Sequence, residues 1–237
     1  MHGTRSRGIA ATAARGWLAL RYQVFSRRYD RLVLETIDDV PLLVLPQVFN
    51  PVLLRSGAMM ARALTRLNLT GPTNCRVLDL GTGSGVGAVF AARLGASVTA
   101  VDINPEAVRC ARINALLNRV DDRIEVRRGD LFEPVQGERF ELVLFNPPFY
   151  RGVPKDNLDR AWRGQDVFER FANQLGGMLT PNGYALLVLS TDGDCAELLT
   201  ELASAGFRND ILEQKDLINE VVTIYAVRPA EQSEPSN

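Results

Sequence analysis

Seven short runs rich in Val, Leu and Ile recur along the later three quarters of this 237-residue chain, and most carry no polar alternation. Strands of a sheet covered on both faces read this way, whereas a half-exposed strand alternates apolar with polar residues. The runs fall at Arg76-Leu80, Ser97-Asp102, Arg123-Arg127, Glu141-Phe145, Tyr184-Ser190 and Val221-Val227, with a weaker one at Phe207-Leu212. Helical stretches separate them. Val86-Leu94 is closed by Gly95, a residue suited to the left-handed position after a helix. Asn104-Pro105-Glu106 opens the next helix with a capping side chain, a proline at its first position and an acid at the positive dipole end. Val167, Phe168, Phe171, Leu175 and Met178 form one apolar face of a helix starting near Asp166. The order predicts an α/β fold: one domain with a mostly parallel seven-stranded sheet and helices on both faces. The last two runs lie too close together for a crossover helix, so one terminal strand is expected to run antiparallel.

Ahead of this pattern, Leu42 to Phe49 reads as a strand, and Asn50-Pro51 interrupts it before a helix carrying Met59, Met60, Ala63 and Leu64. The domain is therefore expected over 41–228, after a basic extension (1–40) and before a polar, Pro-containing tail (229–237) expected to be disordered. Arg5, Arg7, Arg15, Arg21, Arg27 and Arg28 all precede the first acid, Asp30. Such a segment fits a transit peptide, a basic amphipathic helix or a plain solvated extension. The whole chain carries a formal charge of −1, which excludes the overall basic field of a dedicated nucleic-acid binder. Cys75, Cys110 and Cys195 are odd in number and widely spaced, and His2 is the sole histidine. Reduced thiols and no metal site are expected, in a soluble cytoplasmic protein without a membrane partner.

Val77 to Gly85, VLDLGTGSG, ends a buried strand in a glycine-rich turn that leads into a helix. Gly81, Gly83 and Gly85 let backbone approach a ligand without a Cβ clash. A dinucleotide fingerprint needs a third glycine three residues after Gly83, where Val86 stands. That spacing argues against a nicotinamide-dependent oxidoreductase. Asp79 sits in the strand end, where it can accept from a ligand's ammonium group. Asp102 ends the second strand 21 residues past Gly81, at the place of a bound nucleoside's ribose hydroxyls, with Ile103 beside it. Asp130 follows the third strand and can accept from an adenine amino group, with Leu131 or Phe132 covering the ring. Each acid alone fits a helix cap or loop residue; at three consecutive strand ends they converge on one crevice.

The fourth strand ends in Asn146-Pro147-Pro148-Phe149. Asn146 is held extended by the following proline, and the two prolines bring carbonyls without N–H groups. This corner is rich in acceptors and poor in donors. It suits a planar amide or aromatic amine, whose nitrogen reacts more readily when its N–H groups are held and its lone pair faces an electrophile. Phe149 offers a flat wall for such a group.

Asp79 through Gly85, Asp102 and Asp130 resemble, in type and order, the cofactor motifs of class I Rossmann-like S-adenosylmethionine-dependent methyltransferases. The resemblance covers roughly residues 45 to 228. It implies S-adenosyl-L-methionine as cofactor, with Asp79, Gly81, Gly83, Gly85, Asp102, Ile103, Asp130, Leu131 and Asn146 around it, and Asn146, Pro147 and Phe149 at the chemistry. The NPPF corner resembles the HemK-like glutamine N-methyltransferases and the nucleobase amino methyltransferases. Pro154, Asp159-Arg160-Ala161-Trp162, Val167 to Phe171, Gln214 to Leu217, and Val48 to Pro51 with Ser56 resemble a HemK-related branch. Departures fall on the acceptor side: Arg163-Gly164-Gln165-Asp166 replaces paired glycines, Arg55 replaces an acid and Phe149 a tyrosine. A glutamine amide of a protein partner such as a release factor is the favoured acceptor. A nucleobase amino group in RNA or DNA and a small-molecule amine stay open, as does a nucleotide-binding module without catalysis. The oligomeric state and any need for a partner subunit are not set by these residues.

Overall fold

The structure is a computed structural model and describes residues 31–230, apart from 54, 68, 70–74, 157, 218–219 and the side chain of Cys195. The N-terminal arginines and residues 231–237 lie outside the described residues. In chain order the elements are β1 (Val33–Ile37), β2 (Val40–Val44), α1 (Ser56–Leu64), β3 (Arg76–Leu80), α2 (Val86–Arg93), β4 (Ser97–Asp102), α3 (Pro105–Leu117), β5 (Ile124–Arg128), β6 (Phe140–Phe145), β7 (Tyr150–Arg151), β8 (Arg163–Gly164), α4 (Val167–Met178), β9 (Leu179–Ser190), α5 (Cys195–Ser204), β10 (Phe207–Asp216) and β11 (Val221–Pro229).

Seven strands form the central sheet in the order β10-β11-β9-β6-β3-β4-β5. β3 runs parallel to β4 and β6, β4 to β5, and β6 to β9. β11 is antiparallel to both β9 and β10, so the expected antiparallel strand inserts one place in from the edge. From β3 the chain steps outward through β4 and β5, then crosses back to β6 on the other side. β3 and β6 thus flank a topological switch point, where a crevice opens beyond their carboxyl ends.

Alternation along each strand splits the core in two. Val77, Val98, Ala100, Leu142 and Leu144 pack with Met60 of α1 and Val89 and Phe90 of α2. Leu78, Val101, Val143 and Phe145 pack with Phe171 and Leu175 of α4 and Leu198 and Leu202 of α5. The Phe145 and Phe171 rings stack at 4.6 Å between centroids. Each of the Val, Leu, Phe and Met side chains among them contributes about 1.5–3 kcal/mol by leaving water. The same alternation turns Asp79 toward the α2 face. Among the described residues no helix is long and apolar enough to cross a membrane.

The N-terminal side differs from the expectation. The strand read over Leu42–Phe49 ends at Val44, and β2 pairs in full with β1 through a turn in which Asp38 has φ 54. This hairpin straddles the expected boundary at residue 41. It is fastened by α3: Asn114, fully buried, donates from Nδ2 to the Leu43 carbonyl and accepts the Leu43 N–H at Oδ1, each at 2.7 Å. Asn118 donates to the Pro41 carbonyl at 2.9 Å. At the other end β11 takes in Pro229, and the Ala230 N–H donates to the Gly206 carbonyl at 2.8 Å. β9 begins at Leu179 rather than Tyr184, with a register irregularity opposite Phe140–Leu142, and β10 extends to Asp216.

Gly85 caps α2 at φ 81, and a Cβ there would lie 2.9 Å from Ala111 Cα and 3.0 Å from its Cβ. Gly137 has the same φ of 81 with nothing within 4 Å of a Cβ. Gly137→Ala is expected to cost about 1 kcal/mol from backbone strain, and Gly85→Ala about 2 kcal/mol more from the α2–α3 contact. Urea unfolding of the two variants checks this; equal losses would remove the packing role.

Candidate active site

The crevice at the switch point is an open cleft enclosing about 1240 Å3 of non-protein space, some of it continuous with solvent. Asp79, Gly81, Gly83, Asp102, Ile103, Asp130, Leu131, Asn146, Pro147 and Phe149 all line it. Gly85 does not; its missing Cβ serves the contact with Ala111. Phe49 of the lead-in segment and Thr82 of the glycine motif line the cleft as well, joined by Gln47, Gly87 and Arg160, for which the sequence offers no signal of this role.

One half is built by the glycine turn and three carboxylates. Asp79 is buried, and its Oδ2 accepts from Thr82 Oγ1 at 2.6 Å and from the Ala88 N–H at 2.8 Å. These bonds tie the turn and the first turn of α2 to the end of β3. Gly87 makes this fit, because a Cβ there would fall 2.7 Å from Asp79 Oδ1. Burial outweighs the two bonds and pushes the Asp79 carboxyl up to about 6, with Asp102 adding a little. Gly81 and Gly83 take φ 63 and 55, so the turn presents bare backbone to the cleft.

Asp102 closes the turn from β4: its Oδ2 accepts the Gly83 N–H at 2.8 Å and its Oδ1 the Asn104 N–H at 2.9 Å. Burial raises its carboxyl as well, against backbone N–H groups that hold the charge. Asp130 is engaged by Arg170 of α4, whose Nη1 donates to Oδ2 at 2.8 Å. Leu131 beside it adopts φ 48, an uncommon conformation for a side chain of this size.

The opposite half is the NPPF corner. Asn146 Nδ2 donates to Ser56 Oγ, 90 residues earlier in the chain, at 3.2 Å. Asn146 Oδ1 is buried and has no hydrogen-bond partner among the described residues. A buried acceptor left unpaired costs about 1–3 kcal/mol, so its retention points to a donor supplied by a ligand. Past the corner, the Phe149 carbonyl accepts the Asp194 N–H at 2.8 Å, and a Cβ on Gly193 would lie 2.4 Å from that oxygen. β7 and β8 pair in parallel, and the Phe49 ring meets Trp162 at 5.5 Å. The loop between β7 and α4 is thereby held against the cleft mouth.

The methyltransferase small domain family matches residues 44–208. A Methanocaldococcus jannaschii protein named as a protein N5-glutamine methyltransferase is 30% identical over 184 residues, covering 74% of this chain and 88% of that protein. A release factor glutamine methyltransferase of Koribacter versatilis is 35% identical over 127 residues; the match takes in 47% of this chain and 45% of that relative. Among solved structures, a ribosomal protein L11 methylase from Lactobacillus delbrueckii subsp. bulgaricus superposes with a TM-score of 0.60 at 19% identity, over 84% of this chain and 99% of that one. That likeness extends to the fold.

The buried Asp79 carboxyl gives a pH test of the cleft. Its folded-state pKa of about 6 lies above the ordinary 3.8, so the group stabilises the fold fully below pH 3.8 and loses that contribution as pH rises through 6. The difference amounts to about 3 kcal/mol. Urea midpoints across pH 4–7 are expected to show this slope in the native chain and a smaller one in Asp79→Asn; identical slopes would contradict the placement.

Proposed function

Because the chain belongs to the methyltransferase small domain family, we propose that it transfers the methyl group of S-adenosylmethionine to the side-chain amide nitrogen of a glutamine in a protein, such as a release factor. The observation that carries the nitrogen half is Asn146 Oδ1, a buried acceptor without a partner among the described residues, held by the bond from Nδ2 to Ser56. We assign the activity to one domain that includes the β1–β2 hairpin and ends with β11.

The residues present fit the cofactor. Bare backbone at Gly81 and Gly83 permits a nucleoside to lie across the turn, and Asp102 retains lone pairs for its ribose hydroxyls beside Ile103. Arg170 fixes Asp130 with one oxygen engaged, leaving the other for an adenine amino group, and Leu131 covers the ring. Asp79 supplies the countercharge to an ammonium group, which is the ligand for which a carboxylate is worth keeping buried. S-adenosylmethionine, when bound, supplies an electrophilic methyl on a sulfonium.

Asn146 Oδ1 and the Pro147 carbonyl then hold the acceptor's two N–H groups, directing the nitrogen lone pair out of the amide plane. Phe149 stacks on the flat group, and the loop between β7 and α4 limits water. The cofactor would supply the methyl to the nitrogen so held and leave as the neutral thioether, and the proton shed by the alkylated nitrogen would pass to solvent as the loop opens for product release. A base in this chain is not required, and catalysis rests on position and desolvation. A nucleobase amino group offers the same two N–H donors. That second reading draws on a ribosomal RNA small subunit methyltransferase C of Alcanivorax borkumensis, 34% identical over 148 residues, which covers 62% of this chain and 42% of that relative.

Incubation with methyl-labelled S-adenosylmethionine and release factor, total RNA or a metabolite extract is expected to label release factor. Asn146→Ala should lower that transfer by at least 100-fold while cofactor affinity stays within about threefold, and Asp102→Ala should weaken cofactor binding at least tenfold. Turnover retained in Asn146→Ala would remove the proposed mechanism, and label confined to RNA would replace the acceptor.

A further inference from the structure

The acceptor loop carries three arginines, and the structure sorts them sharply. Arg151 pairs with Glu169, at 2.6 Å, and with Glu197, and its guanidinium lies over the Phe168 ring. Arg163 pairs with Asp159 at 3.4 Å and lies over Tyr150. Arg160 has no hydrogen bond or ion pair through its side chain among the described residues, and it is the one of the three that lines the cleft. The turn that bears it, Asp159–Ala161, is fixed on both sides: Asp159 accepts the Lys155 N–H at 3.0 Å and donates its own N–H to Asp156 Oδ1 at 2.8 Å, while the Trp162 carbonyl accepts the Tyr150 N–H at 2.9 Å. An exposed guanidinium is therefore presented at the cleft mouth by an ordered turn.

Charge around the cleft is divided. The lining acids are Asp79, Asp102 and Asp130, all on the half that holds the glycine turn, and Arg160 is the only lining cation among the described residues. Of the cofactor's charged groups, sulfonium, ammonium and carboxylate, only the carboxylate could draw a further cation, and S-adenosylhomocysteine carries the same carboxylate. The turn bearing Arg160 is tied to the acceptor corner, because the Trp162 carbonyl accepts the Tyr150 N–H at 2.9 Å and Gly164 packs against Pro148 and Val167. A planar guanidinium forms paired hydrogen bonds with a carboxylate, and a protein docked over the mouth would exclude the water that screens that pair.

Resting on the protein-glutamine reading above, we infer that Arg160 is a specificity residue that selects an acceptor bearing a carboxylate side chain close to the methylated glutamine. It acts on acceptor choice and leaves the cofactor and the reacting nitrogen to the residues already assigned.

The test uses the full chain with labelled S-adenosylmethionine and peptides centred on one glutamine, with Glu, Gln or Lys placed in turn at each of the four flanking positions on either side. The native protein should show kcat/KM about tenfold higher for Glu than for Gln at one position or two adjacent ones. Arg160→Gln should erase that preference and Arg160→Glu should invert it toward Lys, with calorimetric affinity for S-adenosylhomocysteine within twofold throughout. Transfer that ignores flanking charge, or a preference that survives in Arg160→Gln, overturns the inference alone. Loss of S-adenosylhomocysteine affinity without a change in peptide preference also overturns it and assigns Arg160 to the cofactor. Failure of the native protein to label any peptide or release factor removes the protein-acceptor reading and this inference with it.

Discussion

Everything in the cleft depends on a carboxylate kept out of water. Asp79 sits one residue inside the end of β3, facing α2, where Thr82 Oγ1 and the Ala88 N–H hold one of its oxygens and Gly87 leaves room for the other. Those contacts join strand, turn and helix at one point. The turn is thereby tied to both β3 and α2, and Asp102 reaches across from β4 to take the Gly83 N–H. Burial of that charge is unfavourable by itself, as the rise of the Asp79 carboxyl to about 6 indicates. Such an arrangement makes sense for a site whose ligand brings a cation.

A second unfavourable feature stands across the cleft. Asn146 Oδ1 lacks a partner among the described residues, and its amide is oriented by Ser56 from the start of α1. The two features are complementary: one half retains an unbalanced negative charge and the other an unused acceptor. Preorganised groups of this kind stabilise a reacting geometry without reorganising during the reaction. The fold makes them neighbours because β3 and β6 lie side by side at the point where the chain changes direction across the sheet.

Much of this was legible in the sequence because a parallel sheet writes itself plainly. Both faces of β3, β4 and β6 are buried, so their apolar runs lack alternation, and the functional residues follow directly at the strand ends. The Asn104 cap and the Gly81 and Gly83 turn carry local signals of the same clarity. What escaped depends on residues far apart in the chain. The hairpin β1–β2 has an exposed outer side, with Leu34 63% accessible, and is held by Asn114, a residue with no local signature for that task. Gly85 belongs to the same glycine-rich motif as Gly83, yet it serves the contact with Ala111, which lies in α3. Arg170 beside Asp130 and Ser56 beside Asn146 are separated by 40 and 90 residues, and no spacing rule relates them. Arg160 stood inside a recognised segment, but its freedom becomes visible only once Arg151 and Arg163 are seen to be paired.

We propose that Asp79 is a buried countercharge for the cofactor's ammonium group. Calorimetric titration with S-adenosylhomocysteine between pH 4.5 and 7.5, in buffers of differing ionisation enthalpy, tests it most directly. The predicted result is an affinity that is level above pH 6 and falls by close to tenfold per unit below it, with proton release on binding near pH 6 that disappears in Asp79→Asn. An affinity independent of pH, with no proton exchanged, would rule that role out.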